Sequence, residues 1–472
     1  MERIETDVCV IGAGSGGLSV AAGAAQMGAR VVLIEGHKMG GDCLNYGCVP
    51  SKALLAAGKA AQAHRRGARF GVTPQMPQVD FATAMEHVRA TIAAIEPHDS
   101  EERFTGLGVR VIRDWARFVS PNEVETGAHR IRARRFVVAT GSSPMVPPIP
   151  GLEGVPYLTN ETLFGRNECP RHLLIIGAGP IGLEMAQAHR RLGAQVTVIE
   201  AATGLGREDP EAAALVLDAL RGEGVELIEG ATVERVGGRP GAMEVEVKGG
   251  TIFTGTDLLL AIGRVPNLDR LDLKAAGIRY TRAGITVDAR LRTSNRRVHA
   301  IGDVAGLGQF THLAGYHAGV VVRSILFGLP AKARQDHIPR ATYTDPELAQ
   351  VGLTEAEARK AHGVGLQVIR LGYDANDRAL AEGKTAGLIK VMVHRGRPVG
   401  ATIVGANAGE MIAPWAMALA NGLKMGAMAG TVLPYPTFSE LSKRAAGAYF
   451  SPKLFDNPWV KRIVRTVQKV LP

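Results

Sequence analysis

Two observations predict an α/β fold for this chain. A pattern of apolar strand, glycine turn, amphipathic helix and second strand occurs twice, in "DVCVIGAGSGGLSVAAGAAQMGARVVLIE" and in "HLLIIGAGPIGLEMAQAHRRLGAQVTVIE". From Ile338 onward the sequence no longer shows the dinucleotide-binding glycine pattern. There "AGLIKVMVHRGRPVGATIVG" indicates a hairpin of β-branched strands. Together they predict two Rossmann-like domains and a C-terminal α+β domain.

The two copies carry the same residue types at the positions that a dinucleotide-binding βαβ unit needs. The first glycine permits a tight turn, the second lets the backbone approach a pyrophosphate, and the third lets the helix pack on the strand. A glutamate ending the second strand is placed to accept a hydrogen bond from a ribose 2′-hydroxyl. Two dinucleotide sites suggest a relay between a hydride carrier and a resident flavin. The candidates are Gly12, Gly14, Gly17 and Glu35 in the first copy, and Gly177, Gly179, Gly182 and Glu200 in the second.

Three further apolar strands end in small-residue turns. "RRFVVATGSSP" contains Thr140 and Gly141, "DLLLAIGRVPN" contains Gly263, and "RVHAIGDVAG" contains Asp303, a candidate acceptor for a flavin's ribityl hydroxyls. Taken singly, each turn is more often explained by packing than by a site role. Their joint order favours contact with a cofactor.

The stretch "GGDCLNYGCVPSK" holds Cys43 and Cys48, and three interpretations of this pair compete. A zinc site normally takes four ligands in paired sets, and no second cysteine pair exists, so no metal site is predicted. Two inert buried thiols are the second interpretation. The third is a redox dithiol, which is favoured because a predicted helix follows, and its N-terminus and Lys52 would stabilise a thiolate. Gly41 leads into this stretch and is a further candidate for cofactor contact.

Composition restricts the class of protein. The formal charge of +10 is spread along the chain without a basic block, which excludes a nucleic-acid-binding arm and fits anionic nucleotide partners. No apolar run is long enough for a bilayer, and no signal peptide precedes the strand that begins near Asp7. Four cysteines are too few for a secreted disulfide scaffold, so we expect a cytoplasmic protein.

With the repeat in place, "GGDCLNYGCVPSKALL" resembles the active-site signature of the pyridine nucleotide-disulfide oxidoreductases. "ATGSSP", "AIGRVPN", "AIGDVAG" and "YTDPELAQVG" follow in that family's order. The resemblance implies that FAD binds residues 1–150 and 271–337, that NAD(P) binds residues 151–270, and that residues 338–472 form a dimerisation domain.

The resemblance also implies roles for individual residues. NAD(P)H would reduce FAD, and FAD would reduce a Cys43–Cys48 disulfide. Cys48 would be the flavin-facing charge-transfer thiol, whereas Cys43 would be the interchange thiol that meets substrate. Lys52 would lie near the flavin, paired with Glu184 of the second repeat.

One departure from the family pattern concerns the substrate. Members that act on dithiols carry His-Pro near the C-terminus, followed by a glutamate, whereas here Tyr435 precedes Pro436 and Glu440 follows. A phenol with a pKa near 10 is a poor base for a thiol at neutral pH, which argues against efficient dihydrolipoamide oxidation. A tyrosine at this position resembles the pattern of mercuric reductase. Yet the extra C-terminal metal-binding cysteines of that enzyme are missing, since Cys169 is the last cysteine.

We therefore expect a homodimeric flavoenzyme that passes electrons from NAD(P)H through the dithiol to a small or protein-bound disulfide, a metal ion or another small oxidant. Glu200 favours NADH because its charge would repel a 2′-phosphate, while Arg207 leaves room for NADPH. Dihydrolipoyl dehydrogenase is the alternative enzyme. A noncatalytic redox sensor or assembly partner is the alternative from another class.

The C-terminal stretch "PWVKRIVRTVQKVLP" predicts an amphipathic helix. Its apolar positions include Ile463 and Val467, and its basic positions include Lys461, Arg465 and Lys469. Packing onto the dimer or the body of the protein is the favoured interpretation, and contact with a membrane surface is the alternative.

Overall fold

The computed structural model describes residues 1–471 and divides them into two compact units. The first unit combines Met1–Gly67, Thr73–Ala201 and Ile228–Arg334. The second combines Ala68–Val72, Ala202–Leu227 and the chain from Gln335 onward. The finer division into cofactor domains stays a prediction.

The strands follow the chain in this order: β1 (Glu2–Ile11), β2 (Val31–Ile34), β3 (Val109–Ile112), β4 (Arg117–Ser120), β5 (Glu123–Glu125), β6 (His129–Val138), β7 (Ser142–Pro144), β8 (His172–Ile176), β9 (Gln195–Ile199), β10 (Glu226–Ile228), β11 (Val233–Arg239), β12 (Ala242–Val247), β13 (Ile252–Gly255), β14 (Asp257–Leu260), β15 (Arg264–Pro266), β16 (Tyr280–Thr281), β17 (Gly284–Ile285), β18 (Val298–Ala300), β19 (Arg340–Thr342), β20 (Glu347–Gly352), β21 (Leu366–Gly372), β22 (Leu388–His394) and β23 (Arg397–Gly405).

The α-helices are α1 (Ser15–Gln26), α2 (Gly41–Asn45), α3 (Cys48–Arg65), α4 (Phe81–Asp99), α5 (Glu101–Gly106), α6 (Asn160–Leu163), α7 (Pro180–Arg191), α8 (Pro210–Gly222), α9 (Thr311–Phe327), α10 (Glu355–His362), α11 (Asp377–Glu382), α12 (Ala408–Met411), α13 (Ala413–Asn421), α14 (Met425–Ala429), α15 (Glu440–Ala448), α16 (Ser451–Phe455) and α17 (Pro458–Val470). Among residues 1–471, none of these helices combines the length and apolar character needed to cross a membrane.

The first unit contains two sheets with parallel cores. One has the strand order β3-β2-β1-β6-β5-β4, with β18 also paired to β6, and the other contains the strands β9-β8-β14 in that order. In β1 the run Val8–Val10 is fully buried, as expected for a parallel strand covered on both faces. The βαβ units β1-α1-β2 and β8-α7-β9 occupy matching places in the two sheets.

The second unit is built on one antiparallel sheet with the order β19-β20-β23-β22-β21. Helices α12, α13 and α15 contribute to its core, where Trp415 and Tyr373 are completely buried. The Trp415 indole N–H donates to Ser442 Oγ at 3.1 Å, so its one polar atom is satisfied. The predicted α/β class with a C-terminal α+β region is confirmed.

Candidate active site

The two glycine turns have the same geometry. Gly12 and Gly177 adopt φ of +105° and +108°, a region that favours glycine. A β-carbon on Gly17 would overlap the carbonyl oxygen of Gly12, and one on Gly182 would overlap that of Gly177. The third glycine of each turn is therefore required by the closeness of helix and turn, as the sequence predicted.

The second glycine of each turn leaves room for a ligand. Gly14 and Gly179 are the N-caps of α1 and α7, and neither offers a side chain to the first backbone N–H groups. A β-carbon on Gly179 would meet nothing within 4 Å, and one on Gly14 would meet only Gly41 Cα at 4.0 Å. Uncapped N–H groups facing open space suit a pyrophosphate.

The glutamates that end the second strands reach back to the glycine turns. Glu35 Oε2 accepts from the Ala13 N–H at 2.6 Å, and Glu200 Oε2 accepts from the Ala178 N–H at 2.8 Å. These bonds hold each carboxylate at the end of its sheet. Contact of either group with a ribose stays a prediction.

The dithiol loop lies directly against the first glycine turn. Gly40 forms a parallel bridge with Gly14, and a β-carbon on Gly41 would come within 2.7 Å of Gly14 Cα. Gly41 has φ of +60°, so both its conformation and its surroundings call for glycine. Cys43 on α2 and Cys48 at the start of α3 are thereby held beside the predicted flavin-binding turn.

The two thiols differ in acidity. The Cys43 thiol donates to the Cys48 sulfur, which lowers the pKa of Cys48 to about 6 and raises the pKa of Cys43. Thr311 Oγ1, at 3.3 Å from Cys48 Sγ, and the Lys52 ammonium also lower the pKa of Cys48. Cys48 is accessible to solvent and Cys43 is half-buried. These contacts favour Cys48 as the thiolate of the pair.

The side chains of Lys52 and Glu184, which the resemblance implied would pair, do meet. Lys52 Nζ lies 2.6 Å from Glu184 Oε2, and the carboxylate is almost fully buried while the lysine side chain is partly exposed. Helices α3 and α7 carry the two residues, so the ion pair links the dithiol helix to the second glycine turn's helix.

A polar network that the sequence did not reveal surrounds the dithiol loop. Arg264 Nη2 lies 3.0 Å from Asp42 Oδ1, and Arg264 Nε donates to Ser142 Oγ at 2.8 Å. Ser142 Oγ in turn donates to Asp303 Oδ2 at 2.6 Å. Asn160 Nδ2 donates to Asp42 Oδ1 at 3.0 Å. Burial raises the pKa of Asp303, the predicted ribityl acceptor.

The remaining small-residue turns make packing contacts. The Thr140 hydroxyl donates to the Asn267 carbonyl at 2.9 Å, and Asn267 Nδ2 donates back to the Thr140 carbonyl at 2.9 Å. Gly141 and Gly263 have positive φ immediately before β7 and β15, which pair antiparallel. This is the alternative that the sequence left open, and cofactor contact by these residues stays a prediction.

His317 on α9 is an additional candidate for cofactor contact. Its Nδ1 accepts from the Gly302 N–H at 3.2 Å, so the neutral ring carries its proton on Nε2. Nε2 is buried and has no hydrogen-bond partner within residues 1–471. Burial lowers the pKa of His317 to about 4, which keeps the ring neutral and the Nε2–H free for an acceptor on a ligand.

The predicted Tyr435 and Glu440 lie in the second unit without a hydrogen bond between them. The Tyr435 hydroxyl donates to Asp377 Oδ2 at 3.0 Å, and this raises the pKa of Tyr435. Arg444 Nη2 also contacts Asp377, at 3.3 Å. Glu440 Oε2 is buried and unpartnered in the described part of the chain. Asp377 is therefore the hydrogen-bond acceptor of the tyrosine hydroxyl, and no sequence pattern indicated this contact.

The comparisons with known proteins agree with this architecture. The profile described as pyridine nucleotide-disulphide oxidoreductase matches residues 6–318, and the profile of that family's dimerisation domain matches residues 338–446. The chain belongs to this family. It is an FAD-dependent oxidoreductase that uses a pyridine nucleotide.

Its relatives differ in their substrates. Mercuric reductase from Bacillus cereus is 35% identical over 446 residues, which cover 93% of this chain and 70% of that enzyme. Dihydrolipoyl dehydrogenase from Geobacillus stearothermophilus is 33% identical over 455 residues, covering 94% and 96%. The HOCl-induced flavoprotein disulfide reductase RclA from Escherichia coli, solved as a Cu(II) complex, superposes with a TM-score of 0.83 at 30% identity, covering 93% and 99%.

The residues of the first unit fit the FAD that the family uses. The uncapped start of α1 suits the pyrophosphate, and the buried Nε2–H of His317 and the carboxylate of Asp303 offer a donor and an acceptor. The Cys43–Cys48 pair lies against the same glycine turn. These groups would hold the cofactor beside the dithiol.

Proposed function

We propose that this chain is a homodimeric, cytoplasmic NADH-dependent reductase that delivers electrons through Cys43 and Cys48 to a small disulfide or a thiophilic metal ion. The observation that supports it most is the contact of the dithiol loop with the first glycine turn, which places Cys43 and Cys48 beside the predicted flavin site. FAD, when bound, takes a hydride from the nicotinamide and delivers the electron pair to a disulfide.

The dithiol would reduce a disulfide acceptor in two exchanges. Cys43 attacks one sulfur of the acceptor, which forms a mixed disulfide and releases the first thiol. Cys48 then attacks the Cys43 sulfur, which re-forms the Cys43–Cys48 disulfide and releases the second thiol. The proton that Cys43 loses goes to the thiolate released from the acceptor, because the Cys48 thiolate, whose pKa is lowered to about 6, is a weak base.

The choice of NADH rests on Glu200. Its carboxylate is held at the end of β9 by the Ala178 N–H, where it would repel the 2′-phosphate of NADPH. We expect kcat/KM to be at least roughly tenfold higher with NADH than with NADPH, and Glu200→Ser to narrow that ratio. Equal use of both nucleotides by the unchanged enzyme would remove this part of the proposal.

A direct screen of oxidants would identify the electron acceptor. NADH oxidation by the purified flavoprotein would be followed with glutathione disulfide, Hg(II), Cu(II), lipoamide, a quinone and oxygen. Cys48→Ser should abolish turnover with the disulfide and metal acceptors, whereas Cys169→Ser, which changes a cysteine outside the dithiol loop, should leave it unchanged. Undiminished disulfide turnover in Cys48→Ser would refute the proposed electron path.

Dihydrolipoyl dehydrogenase is the second candidate because a relative of that name aligns over 96% of its own length. The hydrogen bond from Tyr435 to Asp377 speaks against it, since it raises the pKa of the phenol at the place of the family's histidine. Oxidation of dihydrolipoamide with NAD⁺ measures this activity directly. Fast turnover would establish the second candidate in place of the first.

A further inference from the structure

Helix α17, Pro458–Val470, separates apolar from basic side chains completely. At 3.6 residues per turn, its apolar positions fill one continuous arc of about 140° and no polar residue interrupts it. The opposite side carries four cations, Lys461, Arg462, Arg465 and Lys469. The apolar arc consists of Trp459, Val460, Ile463, Val464, Val467 and Val470.

The apolar arc is uncovered in the chain. No residue of α17 is buried, and the exposed fractions of Trp459, Ile463 and Val470 are 70%, 60% and 74%. Contiguous exposed apolar surface of this kind marks an interaction site. The matched dimerisation profile ends at residue 446, so α17 lies beyond the part of the chain that this profile covers.

The charge distribution identifies the partner. Between Asn457 and Leu471 there is no acidic residue, so the polar side of α17 is purely cationic. A helix with an apolar face, a Lys/Arg-rich opposite face and low mean hydropathy lies in the plane of a membrane surface, with its cations among anionic headgroups. At about 1.5 Å per residue the helix is about 20 Å long, which suits an in-plane orientation.

We propose that α17 is a reversible anchor that binds this reductase to anionic lipid surfaces. Its apolar arc enters the boundary between headgroups and acyl chains, and its four cations contact lipid phosphates. The proposal is independent of which acceptor the dithiol reduces.

Cosedimentation of the full-length flavoprotein with vesicles tests the proposal. We expect partition onto vesicles of phosphatidylcholine with an equal part of phosphatidylglycerol to exceed partition onto phosphatidylcholine alone by roughly tenfold or more. Raising salt to 1 M, where the Debye length is about 3 Å, should weaken binding. Trp459 fluorescence should shift to the blue with anionic vesicles only, and Trp459→Phe should remove the shift.

Two double variants with equal added charge separate the apolar contribution from the electrostatic one. Ile463→Glu with Val467→Glu places both charges in the apolar arc, and Thr466→Glu with Gln468→Glu places both outside it. The first should reduce partition at least roughly tenfold further than the second. NADH-dependent turnover without vesicles should be unchanged in both, because all four positions are exposed.

Three results would overturn the proposal. The first is no binding of the unchanged flavoprotein to anionic vesicles. The second is an equal loss of binding in the two double variants, which would make the attraction purely electrostatic. The third is dissociation of the dimer in the Ile463 and Val467 variant alone, measured by light scattering, which would assign the apolar arc to a contact between copies of this chain.

Discussion

The ammonium of Lys52 lies 2.6 Å from the carboxylate of Glu184. Lys52 is on α3, one helical turn beyond Cys48. Glu184 is buried, so it fixes the position of a side chain that would otherwise be mobile. The ammonium thus remains near the Cys48 sulfur, whose pKa it lowers. Lys52 therefore lowers the pKa of Cys48 and at the same time forms an ion pair with α7, the helix of the second glycine turn.

Replacing Lys52 by methionine should raise the pKa of Cys48 from about 6 toward the ordinary thiol value, by roughly one unit. The reduced enzyme would be alkylated with iodoacetamide across a pH series, and mass spectrometry would identify the Cys48 peptide. Because the thiolate is the reactive form, the rate midpoint should move upward in pH.

Glu184→Gln is the matched control, because it removes the anion while its amide oxygen can still accept a hydrogen bond from the ammonium and keep it near the sulfur. The pKa of Cys48 should not rise in this variant. A double variant, Lys52→Met with Glu184→Gln, leaves no charge stranded and should reproduce the upward shift. If Glu184→Gln alone raises the midpoint as much, the shift comes from altered packing and the electrostatic account fails.

Thr311, like Lys52, should lower the pKa of Cys48, in this case through a hydrogen bond. Its hydroxyl lies 3.3 Å from Cys48 Sγ, and hydrogen bonds to charged groups are worth about 1.5–3 kcal/mol, or about 1–2 pKa units. Thr311→Val should therefore raise the pKa of Cys48, whereas Thr311→Ser should retain a low value. The same alkylation series measures both, and identical midpoints in the two variants would contradict the assignment.

The structure shows which of these features the sequence could reveal. The glycine turns and the glutamates of the βαβ units were predictable because each unit is contiguous and its spacing follows from local geometry. The thiolate preference of Cys48 was partly predictable, since Lys52 is four residues away on the same helix.

Contacts between distant segments were not predictable from patterns. Thr311 reaches Cys48 across 263 residues, and no periodicity in either helix indicates that meeting. Arg264 begins β15 directly after Gly263, the glycine for which its motif was recognised, and its guanidinium contacts Asp42 beside the dithiol. The hydrogen bond of Tyr435 to Asp377 depends on how α11 packs in the second unit, which sequence spacing does not encode.

The glycine turns predict distinct defects in the two nucleotide sites. Gly17→Ala would force a β-carbon onto the Gly12 carbonyl oxygen, so we expect loss of most bound flavin, measured by absorbance of the purified protein. Gly182→Ala would do the same at Gly177, and we expect retained flavin with KM for NADH raised at least roughly tenfold. Gly222→Ala, where a β-carbon meets nothing within 4 Å, is the control and should change neither property.

Replacing Tyr435 by histidine should increase dihydrolipoamide oxidation. Tyr435→His supplies a group whose ordinary pKa is about 6.5, so oxidation of dihydrolipoamide with NAD⁺ should rise by roughly tenfold or more over the starting rate. Tyr435→Phe should not raise it. Because Tyr435 is exposed, the free energy of unfolding should change by less than about 1 kcal/mol in both variants. A rate in Tyr435→His no higher than in Tyr435→Phe would show that an added base is insufficient.

Arg264 should stabilise the first unit more than an exposed arginine does. Its side chain is only 11% exposed and contacts Asp42 and Ser142, whose hydroxyl in turn supports Asp303. Arg264→Lys keeps the charge but cannot reproduce these contacts, so we expect a loss of about 2 kcal/mol and a lower Tm. Arg235→Lys, at an exposed ion pair with Glu246, should cost less than about 1 kcal/mol. Thermal unfolding of the flavin-loaded proteins compares the two, and equal Tm values would show that the network contributes no more than a surface pair.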